Sequence, residues 1–290
     1  MIASSPIDAL AGVDFEDVGD RLSDRELNAI VKLVYERAGI TLHAGKKALI
    51  VARLQKRVRA GGFKSFSDYL AAVENDTTGA ELCQLLDSIA TNHTSFFREE
   101  QHFKLLESKV LPLLMGRPEG VRMWCAACST GEEPTTLAMT MFETLPQVEH
   151  SRVRFLASDL STKALAAARA GVYKMDRVSS IPQPLLRKYF ERGMGEQAGL
   201  ARVSAAVRRA IEYRQLNLLE IGDLGEKFDV IFCRNVMIYF DRHVQQRVVS
   251  MLERHLVPGG YMFISHSESL NSVTHGLKWI APAAYQRVQA

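Results

Sequence analysis

The chain has 290 residues, 47% of them hydrophobic and 24% charged, which fits two globular domains or one domain with a sizeable appendage. A formal net charge of +3 is too small to argue for nucleic acid by itself. No apolar run reaches the roughly 18 residues of a membrane-spanning helix. The opening residues M-I-A-S-S-P-I-D-A-L lack the basic start and apolar stretch of a signal peptide. Cys83, Cys125, Cys128 and Cys233 sit in or beside apolar segments, the usage expected of a reduced, cytoplasmic protein rather than a disulfide framework.

Residues 1–21 are acidic and without period, and are expected to be a flexible leader. Ser23 and Glu26 have capping-box spacing. Leu27, Ile30, Val31 and Val34 then continue a helical stripe that Gly39 can end. A second helix is expected from about 45 to 60. From 46 to 64 there are seven basic residues and no acidic one. At helical spacing Lys46, Arg53, Lys56 and Arg57 share one face, and Ile50, Val51, Leu54 and Val58 another. Solvated helices usually mix charge signs to gain i,i+4 pairs, so a one-signed stripe reads as a docking surface for an acidic partner, protein or nucleic acid. Ser65 starts a short helix over 66–75, and another is expected from about 78 to 90. Together these make an all-α N-terminal domain over 22–90. Residues 91–120 form a linker and a helix expected over 99–115.

From 121 onward short apolar runs alternate with helical patterns, the signature of a parallel sheet with crossover helices. Strands are expected over 122–127, 152–157, 228–233 and 261–265. Ser161 caps a helix ended by Gly171, and Asp241 caps one that runs to Leu256 before Pro258 and two glycines break it. Residues 277–280 and 284–288 are expected to close an antiparallel pair. The stretch 193–214 interrupts the alternation with glycines and partial period two, and is expected to be a small β insertion.

Three features fall at carboxyl ends of strands, where open α/β sheets hold ligands. The turn Ala127-Cys-Ser-Thr-Gly131 is built of small residues that let backbone N–H groups approach a ligand. With a single glycine it matches G-x-G-x-x-G poorly, which argues against a diphosphate. Asp159 ends the second strand and can accept both hydroxyls of a ribose. Asn217-Leu218 can hold and cover an adenine. A ribose and an adenine without a diphosphate point to S-adenosylmethionine. Its methionine tail needs a cation and an anion, for which Arg98 and Glu132/Glu133 are available. Cys125-Ala-Ala-Cys128 has no second pair and the eight histidines have no ligand spacing, so no metal or redox site is expected.

With these residues in place, the chain resembles the chemotaxis receptor methyltransferase family, CheR, from about residue 22 to 288. The resemblance is carried by T-N-H-T-S-F-F-R-E at 91–99, A-A-C-S-T-G-E-E-P at 126–134, A-S-D at 157–159 and F-C-R-N-V-M-I-Y-F-D at 232–241. His93 and Cys128 depart from the apolar or small residues common there. The resemblance implies an α/β fold: a Rossmann-like S-adenosylmethionine-dependent methyltransferase sheet over 121–290, with an all-α N-terminal domain and a small inserted β-subdomain. It implies that Asn92, Thr94, Arg98, Glu133, Asp159, Asn217, Leu218, Arg234 and Asn235 contact the cofactor, and that Tyr239 lies near the transferred methyl group. It also implies transfer of that methyl to glutamates on chemoreceptor cytoplasmic helices, giving γ-glutamyl methyl esters and S-adenosylhomocysteine. Arg234 or Tyr239 would orient the incoming carboxylate. Arg53, Lys56, Arg57 and Arg59 would dock the acidic receptor bundle, and the β insertion could grip a receptor C-terminal tail by strand addition. A nucleic-acid methyltransferase and a cofactor-binding, non-catalytic adaptor are the alternatives.

Overall fold

A computed structural model describes residues 22–42, 47–89 and 93–288. The expected leader, Lys46 and Asn92 lie outside the described residues. Four helices come first: α1 (Asp24–Ala38), α2 (Lys47–Ala60), α3 (Phe66–Asn75) and α4 (Ala80–Ile89). The capping box of α1 closes in both directions: the Ser23 hydroxyl accepts from the Glu26 amide at 3.2 Å, and the Ser23 amide donates to the Glu26 carboxylate at 2.8 Å. Gly39 ends the helix at φ 69°, and its N–H bonds Tyr35 O. An added Cβ there would meet Val244 at 2.7 Å, so this glycine also lets the helical domain approach the next one closely.

The apolar face of α2 is buried as the spacing requires, with Ile50, Leu54 and Val58 inside. Its basic face is not uniform. Lys56 and Arg59 are exposed, but Arg57 is turned inward onto Glu81 of α4 at 2.5 Å, and Arg53 donates to Ile89 O at 2.7 Å. The expectation of one outward basic stripe is therefore corrected. Its missing acidic partner comes from another helix, which spacing within α2 cannot reveal. Replacing Arg57 by alanine is expected to lower unfolding free energy by about 1–2 kcal/mol in urea titration, because Glu81 loses a charged partner at a half-buried site.

The single helix expected over 99–115 is three stacked pieces: α5 (Gln101–Leu105), one π turn (Leu106–Val110) and α6 (Leu111–Leu114). Pro112 has no N–H for the ladder, and the wide turn lies just before it.

The main sheet has seven strands in the order β6-β2-β1-β7-β8-β10-β9. The strands are β1 (Val121–Cys125), β2 (Val153–Asp159), β6 (Ile211–Gln215), β7 (Phe228–Phe232), β8 (Leu256–Phe263), β9 (Leu277–Ala281) and β10 (Ala284–Arg287). The first five named pair in parallel, and β10 runs antiparallel between β8 and β9. Alternation along β1 sends Met123 and Cys125 to one face and Trp124 to the other. Helices α7 (Glu132–Thr144), α8 (Thr162–Ala170) and α10 (Ala205–Ala210) pack on the first face, and α11 (Arg242–His255) packs on the second. Strand β8 begins directly after α11, so Pro258-Gly259-Gly260 lies inside a strand rather than before one. A register shift against β7 absorbs it.

The insertion is displaced from its expected place. A separate antiparallel sheet of three strands, β3 (Val172–Lys174), β5 (Leu200–Val203) and β4 (Phe190–Arg192), is filled out by α9 (Gln183–Tyr189). It therefore starts at 172 and ends at 203, not 193–214. Ile211–Gln215 belongs to the main sheet, paired parallel with β2. Its partners lie more than 50 residues away, beyond the reach of a local pattern.

Candidate functional site

The sheet order reverses between β1 and β7: β1 continues to β2 on one side, and β7 continues to β8 on the other. A crevice opens at such a switch point, at the carboxyl ends of the strands. Here it is covered by the helical domain. Ile40 bridges Phe240, Thr41 N donates to Tyr239 O at 2.8 Å, and Tyr35 donates to Asp241 at 2.6 Å. The resulting cleft is lined from both sides. The sheet side contributes Ala126, Ser129, Glu133, Asp159, Leu218, Arg234, Asn235 and Tyr239, and the helical side contributes Ile40, Thr41, Leu49, Ile50 and Arg53. Thr94 and Arg98 come from the segment between. Of the residues expected to bind the cofactor, all that are described face this one space.

Helix α7 begins against the crevice. Gly131 is its N-terminal cap at φ 96°, with Ala168 only 2.8 Å from where a Cβ would sit. Only glycine takes that backbone without strain, so the single glycine of the turn lets α7 pack on α8. The two carboxylates that follow diverge. Glu132 is buried and held by Arg177 and by the Thr130 hydroxyl at 2.6 Å. Glu133 faces the cleft, accepts from Arg234 at 2.5 Å and from the Cys125 thiol at 3.2 Å. Burial pushes the Cys125 and Cys128 thiols up, so both stay protonated near neutrality.

Asp159 takes the Ser129 amide at 2.7 Å on one oxygen and the Ser161 amide at 2.9 Å on the other. Removal from water raises its pKa, and these two amides oppose the rise. Asn217 donates to Arg37 O at 2.6 Å and accepts from Leu219 N, so its amide ties the cleft floor to the end of α1. Leu218 is buried beside it.

Arg234 is buried, and both terminal nitrogens of its guanidinium are engaged, while Nε has no hydrogen-bond partner among the described residues. Its guanidinium meets Glu133 at 2.5 Å and Glu99 at 3.0 Å, donates to Arg98 O at 2.7 Å, and lies over the Phe103 ring. A group committed in this way is placed to support Glu133 and Glu99. Tyr239 lies on a short turn (Met237–Tyr239) facing the cleft. Burial works to raise the Glu99 pKa, but the Arg234 charge and the Ser265 hydroxyl outweigh it and hold the group near about 2.

Some groups at the site were not visible as a pattern. Arg53, expected on the docking face, lines the cleft. The histidines have no ligand spacing in sequence, yet Glu99, His102 and His266 bring ligand atoms within 4.8 Å of one another. The cation beside Glu99 is Arg234, and burial lowers His102 to about 4, so the imidazole is neutral at pH 7. Among the described residues no helix is long and apolar enough to cross a membrane.

The donor set fits S-adenosylmethionine. Carboxylates Asp159 and Glu133 face a partly apolar cleft, and the buried Thr41 hydroxyl there has no hydrogen-bond partner among the described residues. Comparison with known proteins agrees. Residues 92–285 match the SAM binding domain of CheR methyltransferases, and residues 25–90 match the all-alpha domain of the same enzymes. A chemotaxis protein methyltransferase of Borreliella burgdorferi is 38% identical over 272 residues, covering 90% of this chain and 94% of that one. Chemotaxis protein methyltransferase 2 of Pseudomonas aeruginosa is 37% identical, covering 94% and 92%. The Escherichia coli chemotaxis protein methyltransferase is 38% identical, covering 86% of each. The chain is thus a methyltransferase with an S-adenosylmethionine-binding domain, and it belongs to the CheR methyltransferase family.

Proposed function

We propose that the protein transfers the methyl group of S-adenosylmethionine to glutamate side chains on the cytoplasmic helices of chemoreceptors, forming γ-glutamyl methyl esters. The observation that carries this reading is the cleft itself, with Asp159 and Glu133 on one wall and the helical domain closing the other. Asp159 accepts the ribose hydroxyls. Leu218 covers the adenine, and Asn217 fixes the floor on which it lies. Thr94 and Asn235 border the nucleoside. Glu133 holds the ammonium of the methionine tail, and Arg98 its carboxylate.

S-adenosylmethionine supplies a methyl on a sulfonium. A glutamate side chain is already ionised near pH 7, so the site needs no strong base. The protein's contribution is to align the carboxylate oxygen with the methyl and to exclude water that would compete. Tyr239 orients the acceptor oxygen from the cleft wall, while Arg234 keeps Glu133 in place from behind.

Receptor docking falls to the exposed Lys56 and Arg59, with Arg53 at the cleft mouth steering the acceptor carboxylate inward. The small three-stranded sheet offers an edge to a receptor tail. Reversing Lys56 and Arg59 to glutamate is expected to raise KM for receptor several-fold, most at low salt, with the unfolding midpoint and cofactor affinity unchanged. Equal loss of cofactor affinity would count against docking. The reading as a whole is tested by incubating the protein with methyl-labelled cofactor and a receptor cytoplasmic domain. Base-labile label on glutamate supports it. Label that resists base, or that appears on RNA instead, sinks it.

A further inference from the structure

The turn at 265–268, after β8, contributes nothing to the cleft wall, yet it grips two segments that do. The Glu268 carboxylate accepts three backbone N–H groups. Asn235 N lies at 3.1 Å and Ser265 N at 2.8 Å on one oxygen, and Met237 N at 2.8 Å on the other. Ser265 is buried, and its hydroxyl donates to Glu99 at 2.8 Å while accepting from the Asn235 side-chain amide at 2.7 Å. The His266 amide adds a bond to Glu99 at 3.1 Å.

Two of these recipients need support. Asn235 and Glu99 have φ of 60° and 58°, in the left-handed region that non-glycine residues rarely adopt. Such backbone persists only where its surroundings enforce it. Asn235 opens the segment that ends at Tyr239, and Glu99 follows Arg98 directly. The segment 235–237 turns two amides toward a single carboxylate, so its path follows that acceptor.

We infer that Glu268 and Ser265 are positioning residues for the methyl-transfer cleft. Glu268 sets the backbone path that presents Asn235 and Tyr239, and Ser265 sets the Asn235 side chain and, through Glu99, the far end of Arg234. The inference rests on the reading of this cleft as the methyl-transfer site.

In the full-length protein, Glu268→Gln keeps the shape but offers one carbonyl oxygen and turns an NH2 toward backbone donors. Exchange of the Asn235 and Met237 amides is expected to rise about tenfold or more, with distant core amides unchanged. kcat on receptor is expected to fall about tenfold, because the loss is one of alignment. Combined with Asn235→Ala, it should cost little more than the larger single effect, since both act through one segment. Single effects that multiply in full, or wild-type exchange at those amides, would overturn the inference. Should Glu268→Gln fail to fold, Ser265→Ala keeps the Glu268 bonds and decides the matter. It should weaken S-adenosylhomocysteine binding severalfold, non-additively with Asn235→Ala, and wild-type affinity would refute it. If the wild-type protein forms no receptor ester, the functional reading fails on its own account, while exchange and S-adenosylhomocysteine titration still judge the positioning role.

Discussion

Replacing Arg234 with methionine is expected to lower the unfolding free energy by about 3 kcal/mol, because it leaves two mostly buried carboxylates without their cation. The side chain is only 1% exposed, and its partners Glu99 and Glu133 are 17% and 11% exposed. Methionine fills much of the same volume, so lost packing is the smaller effect. Urea unfolding at pH 7 measures the difference, and a loss below about 1 kcal/mol would show that the ion triad is not a structural brace. The pH dependence has a definite sign. Glu99 titrates near about 2 in the folded protein, below the ordinary glutamate range near about 4.3. A depressed carboxylate contributes stability that is present above its unfolded pKa and lost as pH falls through the folded one. The gap between wild type and variant should therefore be full at neutral pH and shrink as pH drops from about 4 toward 2. Adding Glu133→Gln to the methionine variant should recover part of the loss, since one unpaired charge is then gone.

Asp159→Asn is expected to weaken S-adenosylhomocysteine binding about 100-fold. The two ribose hydroxyl bonds proposed for this charged acceptor would become weaker or be lost, at about 1.5 kcal/mol or more each, and about 2.8 kcal/mol corresponds to two decades of affinity. Asparagine keeps one acceptor oxygen for one of the amides of Ser129 and Ser161, so the turn loses a single local bond and the thermal midpoint should move by a few degrees at most. Calorimetric titration reads the affinity, and a loss under tenfold would remove Asp159 from the ribose. Burial raises the pKa of this carboxylate, so wild-type affinity should begin to fall at a higher pH on acidification than an ordinary aspartate would dictate. The asparagine variant, having no such group, should lack that decline.

Much of this was legible in the chain because the signals are local. A capping box at Ser23 and Glu26 depends on residues three apart. A strand followed by small residues and an acidic helix start depends on about ten. Asp159 declares itself by closing an apolar run just before a helix cap at Ser161. The motif blocks at 91–99, 126–134 and 232–241 carry the family because each sends several residues to the cleft wall within a short stretch, such as His93, Thr94 and Arg98, Ser129 and Glu133, and Arg234, Asn235 and Tyr239.

What failed to show is long-range. Ile211–Gln215 has the composition of an insertion strand, and only its parallel pairing with β2 places it in the main sheet. Arg57 looks like part of a docking face until Glu81 arrives from α4. Glu132 and Glu133 are adjacent and chemically alike, and which of them faces the cleft depends on where Arg177 and Arg234 lie in three dimensions. Arg234 carries the charge expected of a substrate-binding group, and only the fold shows it buried between two carboxylates.

Sequence alone determined most helix caps, the ligand class and the family, since each follows from side-chain chemistry at short separations along the chain. Tertiary structure decided which charges are paired and which are free, where the small sheet begins, and that the helical domain closes the cleft over the switch point. Those depend on contacts between residues tens to hundreds of positions apart, as between Asn235 and Glu268 or Tyr35 and Asp241. An ionised side chain buried with a partner braces the fold, and one left in water is free to recognise a substrate; only the folded arrangement separates the two.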